Sequence, residues 1–396
     1  MSALEKAFLA KPVGPAIPPR LTNPSKDFTS KLEVKGEEAV AELRRPIGET
    51  TSTAARTYLE EQGLNPDDWE QTGYRRSEWT MPNGNTGESA RFVFRRREGT
   101  ATAERPPIDD LLAAVNTYDL GGENRRRDGS WTYVIALGDM QFGKIDGDGV
   151  EGTLKRTVTG LNRAMVLLEA YRLRFDIGHV HFGFLGDHVE GFVSQGGANT
   201  WRTPLTLTEQ IRLTRRVMLH SMCLAAPEVS RVTMAAVPGN HGEAVRINGK
   251  GLTRYDDSHD TESLIAVKDA ADLAPDKFGN VEFFVPDTDE LTVVVDCSGT
   301  VAAHAHGHQW RPGKHFDWWR GQAFNKESAM HQADLLLAGH LHHEFIDTDG
   351  PRTFVQPPAM ESESTWWRHA KGTTGAPGLM VMVTKDGETP VKEVVR

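Results

Sequence analysis

Between residues 131 and 343, five short apolar runs each stop at a glycine-flanked group of polar side chains. Residues 133–137 lead into Gly138-Asp139-Met140-Gln141, and residues 182–185 into Gly186-Asp187-His188-Val189-Glu190. Residues 232–237 lead into Gly239-Asn240-His241-Gly242-Glu243, residues 301–304 into His306-Gly307-His308, and residues 335–337 into Gly339-His340-Leu341-His342. Runs so short and apolar, bounded by turn residues, predict buried strands. Helical stretches separate the first of them. Leu154, Val158, Leu161, Met165 and Leu168 recur at helical spacing. Thr206-Leu207-Thr208-Glu209 has the form of a capping box opening a helix toward Leu224, and Asp260 is placed to cap a helix through Leu264 and Val267. Further strands are expected at residues 281–285, 291–295, 353–355 and 379–383. Strand, polar loop and helix in repetition predict an α/β fold, and ligands in such folds bind at loops leaving the carboxyl ends of strands.

The side chains collected at those ends are Asp139, Gln141, Asp187, Asn240, His306, His340 and His342. Carboxylate, amide oxygen and imidazole together suit a borderline-hard divalent ion such as Mn, Fe or Zn. The set holds no thiolate, which argues against a structural zinc site. A carboxylate central in the order could bridge two ions about 3.5–4 Å apart, an arrangement that yields hydroxide at neutral pH and neutralises phosphate oxygens. That is phosphoester hydrolysis chemistry, and it needs no protein nucleophile.

The rest of the chain sets bounds on this reading. A net charge of −10 gives no global attraction to nucleic acid or anionic membranes. The N-terminus carries Glu5 and Lys6 and no sustained apolar run, so it reads as no signal peptide, and no stretch is long and apolar enough to span a bilayer. Cys223 and Cys297 lie in apolar surroundings, which predicts two buried free thiols and a cytoplasmic location. Residues 1–30, rich in proline, read as a flexible leader. Residues 31–98 read as a small α/β module, with Thr51-Ser52-Thr53 capping a helix that Gly63 stops. Two strands follow, joined by Pro82-Asn83-Gly84-Asn85. Its basic run Arg95-Arg96-Arg97 is read as a solvated strand end, the alternative being a phosphate-contacting patch. Residues 99–130, with the basic run Arg125 to Arg127, read as a linker.

In their order and spacing the five motifs resemble the signatures of the calcineurin-like metallophosphoesterases. The resemblance covers roughly residues 131–385 and implies a two-sheet β sandwich flanked by helices, with a dinuclear metal centre. By motif, the first ion would be held by Asp139, Gln141, Asp187 and His342. The second would be held by Asp187, Asn240, His306 and His340, with Asp187 as the bridge. His241 would face the scissile phosphate and protonate the leaving group or stabilise its charge, and His188 would be a further phosphate or leaving-group contact. Gln141 departs from the family, which usually has histidine there; a neutral amide oxygen is a poorer donor and favours harder ions such as Mn. The fourth motif offers His304, His306 and His308 in alternation. His306 is chosen for the glycine that follows it, with His308 as runner-up.

Glu190 is followed by Gly191 and Phe192 rather than arginine, which argues against the protein-phosphatase branch. Paired histidines at 340 and 342 resemble the phosphodiesterase and nuclease branch, including double-strand-break repair nucleases of the SbcD type. The arrangement with its leading module also resembles metallophosphoesterases encoded by actinobacterial phages. The expected function is therefore a Mn-dependent phosphodiesterase acting on DNA. The alternatives are a phosphomonoesterase, a small-nucleotide phosphodiesterase, or a silent scaffold such as the retromer subunit. A second copy of the chain or a replication or repair protein is the expected protein partner. Trp310, Trp318, Trp319, Trp366 and Trp367, with Arg311, Lys314, Arg320 and Arg368 among them, are read as loop anchors, the alternative being a base-stacking platform.

Overall fold

The computed structural model describes residues 30–35, 38–46, 48–80, 86–96, 106–115, 124–192, 203–247, 250–251, 253–325, 328–362 and 375–396. The leader up to residue 29, the turn at residues 82–85, Arg97, Trp366, Trp367 and Arg368 lie outside them. The chain divides into two compact units, Met1–Ala101 and Thr102–Arg396.

The first unit contains β1 (Ser30–Lys35), β2 (Glu38–Pro46), α1 (Ser52–Glu61), β3 (Trp69–Thr80) and β4 (Thr86–Arg96). The strands form one antiparallel sheet in the order β1-β2-β4-β3. Thr51 caps α1, its hydroxyl accepting from Ala54 N at 3.1 Å, and Gly63 follows the helix at φ +82°. Alternate residues of the central strands, Ala39, Ala41 and Leu43 on β2 and Ala90, Phe92 and Phe94 on β4, are fully buried, as are Ala55 and Leu59 of α1. The sequence reading found α1 and the β3–β4 pair but missed β1 and β2. β2 turns Ala39 and Ala41, weak strand formers, inward, and β1 sets only Leu32 and Val34 among charged residues.

The second unit begins with α2 (Ile108–Ala114) and runs through β5 (Trp131–Leu137), α3 (Gly149–Arg172), β6 (Ile177–Phe184), α4 (Leu207–Ala225) and β7 (Arg231–Ala236). A short pair, β8 (Arg246–Ile247) and β9 (Lys250–Gly251), precedes α5 (His259–Asp272), α6 (Pro275–Phe278) and β10 (Val281–Phe284). Then come β11 (Val293–Cys297), β12 (Thr300–Ala305), α7 (His315–Phe324), β13 (Leu335–Ala338), β14 (Phe345–Asp349), β15 (Arg352–Gln356), β16 (Leu379–Lys385) and β17 (Glu388–Val395).

Two sheets form an α/β sandwich flanked by helices, the architecture expected. One has six strands in the order β10-β7-β6-β5-β16-β17, parallel from β10 to β5. The other has five in the order β11-β12-β13-β15-β14, parallel from β12 to β15. Period-two alternation sorts the side chains into three layers. Tyr133, Ile135 and Leu137 of β5 and Phe182 and Phe184 of β6 pack with Leu154, Leu161 and Leu168 of α3. Val134, Ala136, Leu335, Leu337, Val355, Met380 and Met382 meet between the sheets. Ala303, Leu336 and Phe354 pack on the far side with Trp319 of α7 and Met330. Strands buried on both faces read as continuous apolar runs, which is why these were legible. Each fully buried phenylalanine contributes about 2–3 kcal/mol.

Three expectations need correction. The segment read as a linker carries α2, whose Leu111 and Leu112 are buried in the core of the second unit. Pro106 and Pro107 suggested a linker, but proline suits the start of a helix. Ser258, not Asp260, caps α5 by accepting from Asp260 N at 3.2 Å. Cys297 is buried, whereas Cys223 is half-buried; both are free. Among the tryptophans, Trp319 is a buried anchor donating to Met330 O at 3.1 Å. No helix among the described residues is long and apolar enough to cross a membrane.

On the β6–β7 side, the space between the sheets is polar. Ser298, Thr132, His179, Thr233, His181 and His304 form one hydrogen-bonded series at 2.7–2.8 Å per step, and His304 Nδ1 ends it on Val293 O at 3.2 Å. A carbonyl only accepts, so His304 carries its proton on Nδ1, and neutral rings then run every other donor in one direction, each satisfied. Burial, with Arg231 nearby, holds His179 down to about 3. A ring kept neutral when folded takes up a proton when unfolded. Its contribution is therefore full above the unfolded value of about 6.5 and lost as pH falls toward the folded value. His179→Gln keeps one donor and one acceptor but cannot titrate. Unfolding free energies from denaturant titration should then fall less steeply between pH 6.5 and 4.5 than in the parent, by about 1.4 kcal/mol per pH unit. Parallel pH profiles would show that His179 is not held neutral.

Candidate metal centre

The polar motifs leave the sheets side by side because the sheet hydrogen bonding continues into them. Asp139 N donates to Gly186 O (3.0 Å), Gln141 N to Asp187 O (2.9 Å), Gly339 N to His306 O (2.8 Å) and Met360 N to Gly138 O (3.2 Å). Asp139, Gln141, Asp187, His340 and His342 all have positive φ, between 41° and 74°. Such backbone costs about 1–3 kcal/mol per residue and persists only where its surroundings enforce it. Strain gathered on the predicted ligands marks these loops as shaped for something other than stability. Gly239 belongs to the same economy of space, since a Cβ there would overlap the Asp187 carboxylate.

Asp260 is the functional residue that sequence reasoning missed. From the first turn of α5, fully buried, it accepts three backbone N–H groups: Asp187 (3.0 Å) and Gly239 (2.9 Å) on Oδ2, and His188 (2.9 Å) on Oδ1. It thus ties the second and third motifs together. An acidic residue at a helix start reads as a cap, which concealed this role.

Asp187 is central. Its Oδ1 accepts from His241 N at 2.7 Å and its Oδ2 lies 3.0 Å from His306 Nε2. His306 Nδ1 is committed to Leu185 O at 2.7 Å, leaving Nε2 for the centre. Donor atoms of Asp187, His306 and His340 lie within 4.8 Å of one another, a grouping able to hold an ion. On the other side, His342 Nε2 is 3.3 Å from Asp139 Oδ1, and Asp139 Oδ2 accepts from His340 N at 2.9 Å. Gln141 Oε1 accepts from Lys144 Nζ at 3.2 Å. Asn240 Oδ1 is buried without a hydrogen-bond partner among the described residues.

His304 lies in the series between the sheets. His308 is half-buried at the rim, its ring 5.4 Å from that of His306. His188 has its backbone held by Asp260, and its fully buried ring stands edge-on to Phe184 at 5.7 Å, close enough to the centre to feel the charges of Asp139 and Asp187.

Charge in the centre is unbalanced. Burial opposes it, yet the Asp187 carboxylate pushes His306 up to about 9, and Asp139 with Glu361 pushes His342 up to about 10. Burial likewise opposes the shifts of Asp139 and Asp187, but His342 and His306 hold these carboxyls below their ordinary value. Burial, then His306, pushes His340 down to about 4. The carboxylates thus recruit positive charge, for which protons on imidazole and divalent ions compete. The unpartnered Asn240 oxygen, imidazoles oriented by a carbonyl and a carboxylate, and the oxygen–nitrogen donor set fit divalent ions. Asp139, Gln141, Asp187 and His342 would hold one; Asp187, Asn240, His306 and His340 would hold the other.

No protein-family model and no curated protein matches the chain. Among solved structures it is similar to Vacuolar Protein Sorting 29 from Cryptosporidium parvum, with 15% identity over 67% of this chain and 98% of that one and a TM-score of 0.31. It is similar to Vps29 complexed with Zn from Entamoeba histolytica, with 15% identity over 66% and 96% and a TM-score of 0.29. It is also similar to a conserved uncharacterized protein, a predicted phosphoesterase, from Streptococcus pneumoniae, with 13% identity over 67% and 98% and a TM-score of 0.27. Likeness at these scores carries no weight for function, which rests on the geometry of the centre.

Proposed function

We propose that the chain is a phosphoesterase dependent on two divalent ions, Mn before Fe or Zn, acting on phosphodiesters and on DNA in particular. One observation carries this reading. Asp187 groups with His306 and His340, and Asp139 with His342 forms a second donor group joined to the first where His340 N donates to Asp139 Oδ2. When bound, a pair of ions there supplies hydroxide at neutral pH and neutralises phosphate charge. The protein's own part is positioning and proton transfer. His241 Nδ1 donates to Glu190 O at 3.0 Å with Glu190 Oε2 at 3.4 Å, which turns Nε2 toward the Asp187 side, 3.9 Å from Oδ2. An imidazole so held is suited to protonate a leaving alkoxide.

The preference for nucleic acid is supported at the rim. The Trp310 and Trp318 rings are half-buried against the core that holds Trp319 and Phe354, 4.5 Å apart, and Trp310 approaches Gly307 beside His340. Arg311 is exposed next to them, while Lys314 and Arg320 are both engaged by Asp317. An aromatic pair with an adjacent cation is able to stack a base whose phosphate enters the centre.

To test this, chelator-stripped protein is reconstituted with Mn²⁺ and given a phosphomonoester, a chromogenic phosphodiester, and linear and circular DNA. Diester and DNA cleavage is expected, falling about a hundredfold or more in His241→Ala. Hydrolysis of the monoester alone removes the diester reading. Inactivity with Mn, Fe and Zn alike favours a scaffold.

A further inference from the structure

Next to the first ion's ligands lies a buried ion pair that the proposed reaction does not use. Lys144 Nζ is 2.9 Å from Glu361 Oε2; the Glu361 side chain is 1% exposed and that of Lys144 18%. Both are placed by the ligand loop itself, since Lys144 N donates to Gln141 O at 2.9 Å and Glu361 N to Asp139 O at 3.1 Å. Each then reaches one ligand. Lys144 donates to Gln141 Oε1 at 3.2 Å, and Glu361 Oε1 lies 2.8 Å from His342 Nδ1. Neither makes a hydrogen bond or ion pair with Asn240, His306 or His340 among the described residues.

The two residues act in opposite senses on the same position. Glu361 fixes the His342 ring with Nε2 toward Asp139 and raises its basicity, which favours a cation. Lys144 cancels the charge of Glu361 and occupies a lone pair of the Gln141 oxygen, which disfavours one. We propose that Lys144 and Glu361 form a charge-matched clamp on Gln141 and His342, so that the two ion positions differ in affinity and Lys144 holds the first below the second. This rests on the reading of the centre as a two-ion site. Both are positioning residues, acting on ions through Gln141 and His342.

Calorimetric titration of chelator-stripped protein with Mn²⁺ tests the clamp. The parent is expected to take up two ions with unequal affinity. Lys144→Met removes the opposing charge and frees the Gln141 oxygen, so the weaker affinity should rise about tenfold or more. Lys144→Arg keeps the charge and should leave the parent pattern. Glu361→Gln leaves the ammonium unopposed and should lower the weaker affinity by about tenfold or more. A merely structural role for Lys144 cannot produce a gain on its removal. If Glu361→Gln does not fold, the two Lys144 variants decide alone. Two ions bound with the weaker affinity unchanged or lowered in Lys144→Met would overturn the clamp and leave the two-ion centre standing. Absence of Mn²⁺ binding in parent and variants alike would overturn both.

Discussion

Asp187→Ala is expected to lower phosphodiester turnover by about a thousandfold or more and to reduce the divalent ions bound per chain from two to at most one. The carboxylate is 1% exposed and central to everything the site assembles. One oxygen faces His306 Nε2 and the other receives the His241 amide, so its removal separates both donor groups and unseats the leaving-group imidazole at once. Stability should fall as well, because the substitution leaves the His241 amide unpaired and takes the counter-charge from the buried His306 ring. Ion content by atomic absorption and turnover on the chromogenic diester measure the effect. A variant that still binds two ions and keeps more than about a tenth of parental turnover would remove Asp187 from the centre.

Asp260→Ala should have the largest effect on folding, a loss of about 3–9 kcal/mol. It strands three buried backbone donors, each costing about 1–3 kcal/mol when unsatisfied. Against a typical total of about 5–15 kcal/mol, that is a large share. Activity should fall as well, because the same bonds fix the loops bearing Asp187 and Asn240. Asp260→Asn retains one acceptor and should lie between the two. Urea titration at neutral pH is the measurement. A loss below about 1 kcal/mol would mean that water or a neighbouring group satisfies those amides, and that Asp260 is not their support.

The strands that present the centre were legible because the parallel strands are buried on both faces and so read as uninterrupted apolar runs. Elements whose inward residues are small or few were not: β2 turns Ala39 and Ala41 inward, β1 offers only Leu32 and Val34, and α2 buries little beyond Leu111 and Leu112. The alternation of His304, His306 and His308 shows a different limit. A period of two sends all three to one side of β12, so pattern alone leaves them equivalent. Pairing of Ala305 with Ala338 ends the strand there and separates them. His304 remains between the sheets, bonded to His181; His306 is the first to emerge beside Asp187.

By itself, then, the sequence determined the apolar runs, the order of the polar loops that end them, and the donor chemistry those loops carry. These depend on residues close together in the chain, where turn chemistry and side-chain period act directly. Only the tertiary structure decided which residues support that chemistry. Asp260 reaches Asp187 across 73 positions, and Glu361 joins Lys144 and His342 from a loop after the last strand of the second sheet. Such contacts leave no local pattern, because they are made by whichever buried donor or acceptor the packing brings alongside and desolvation then obliges to pair.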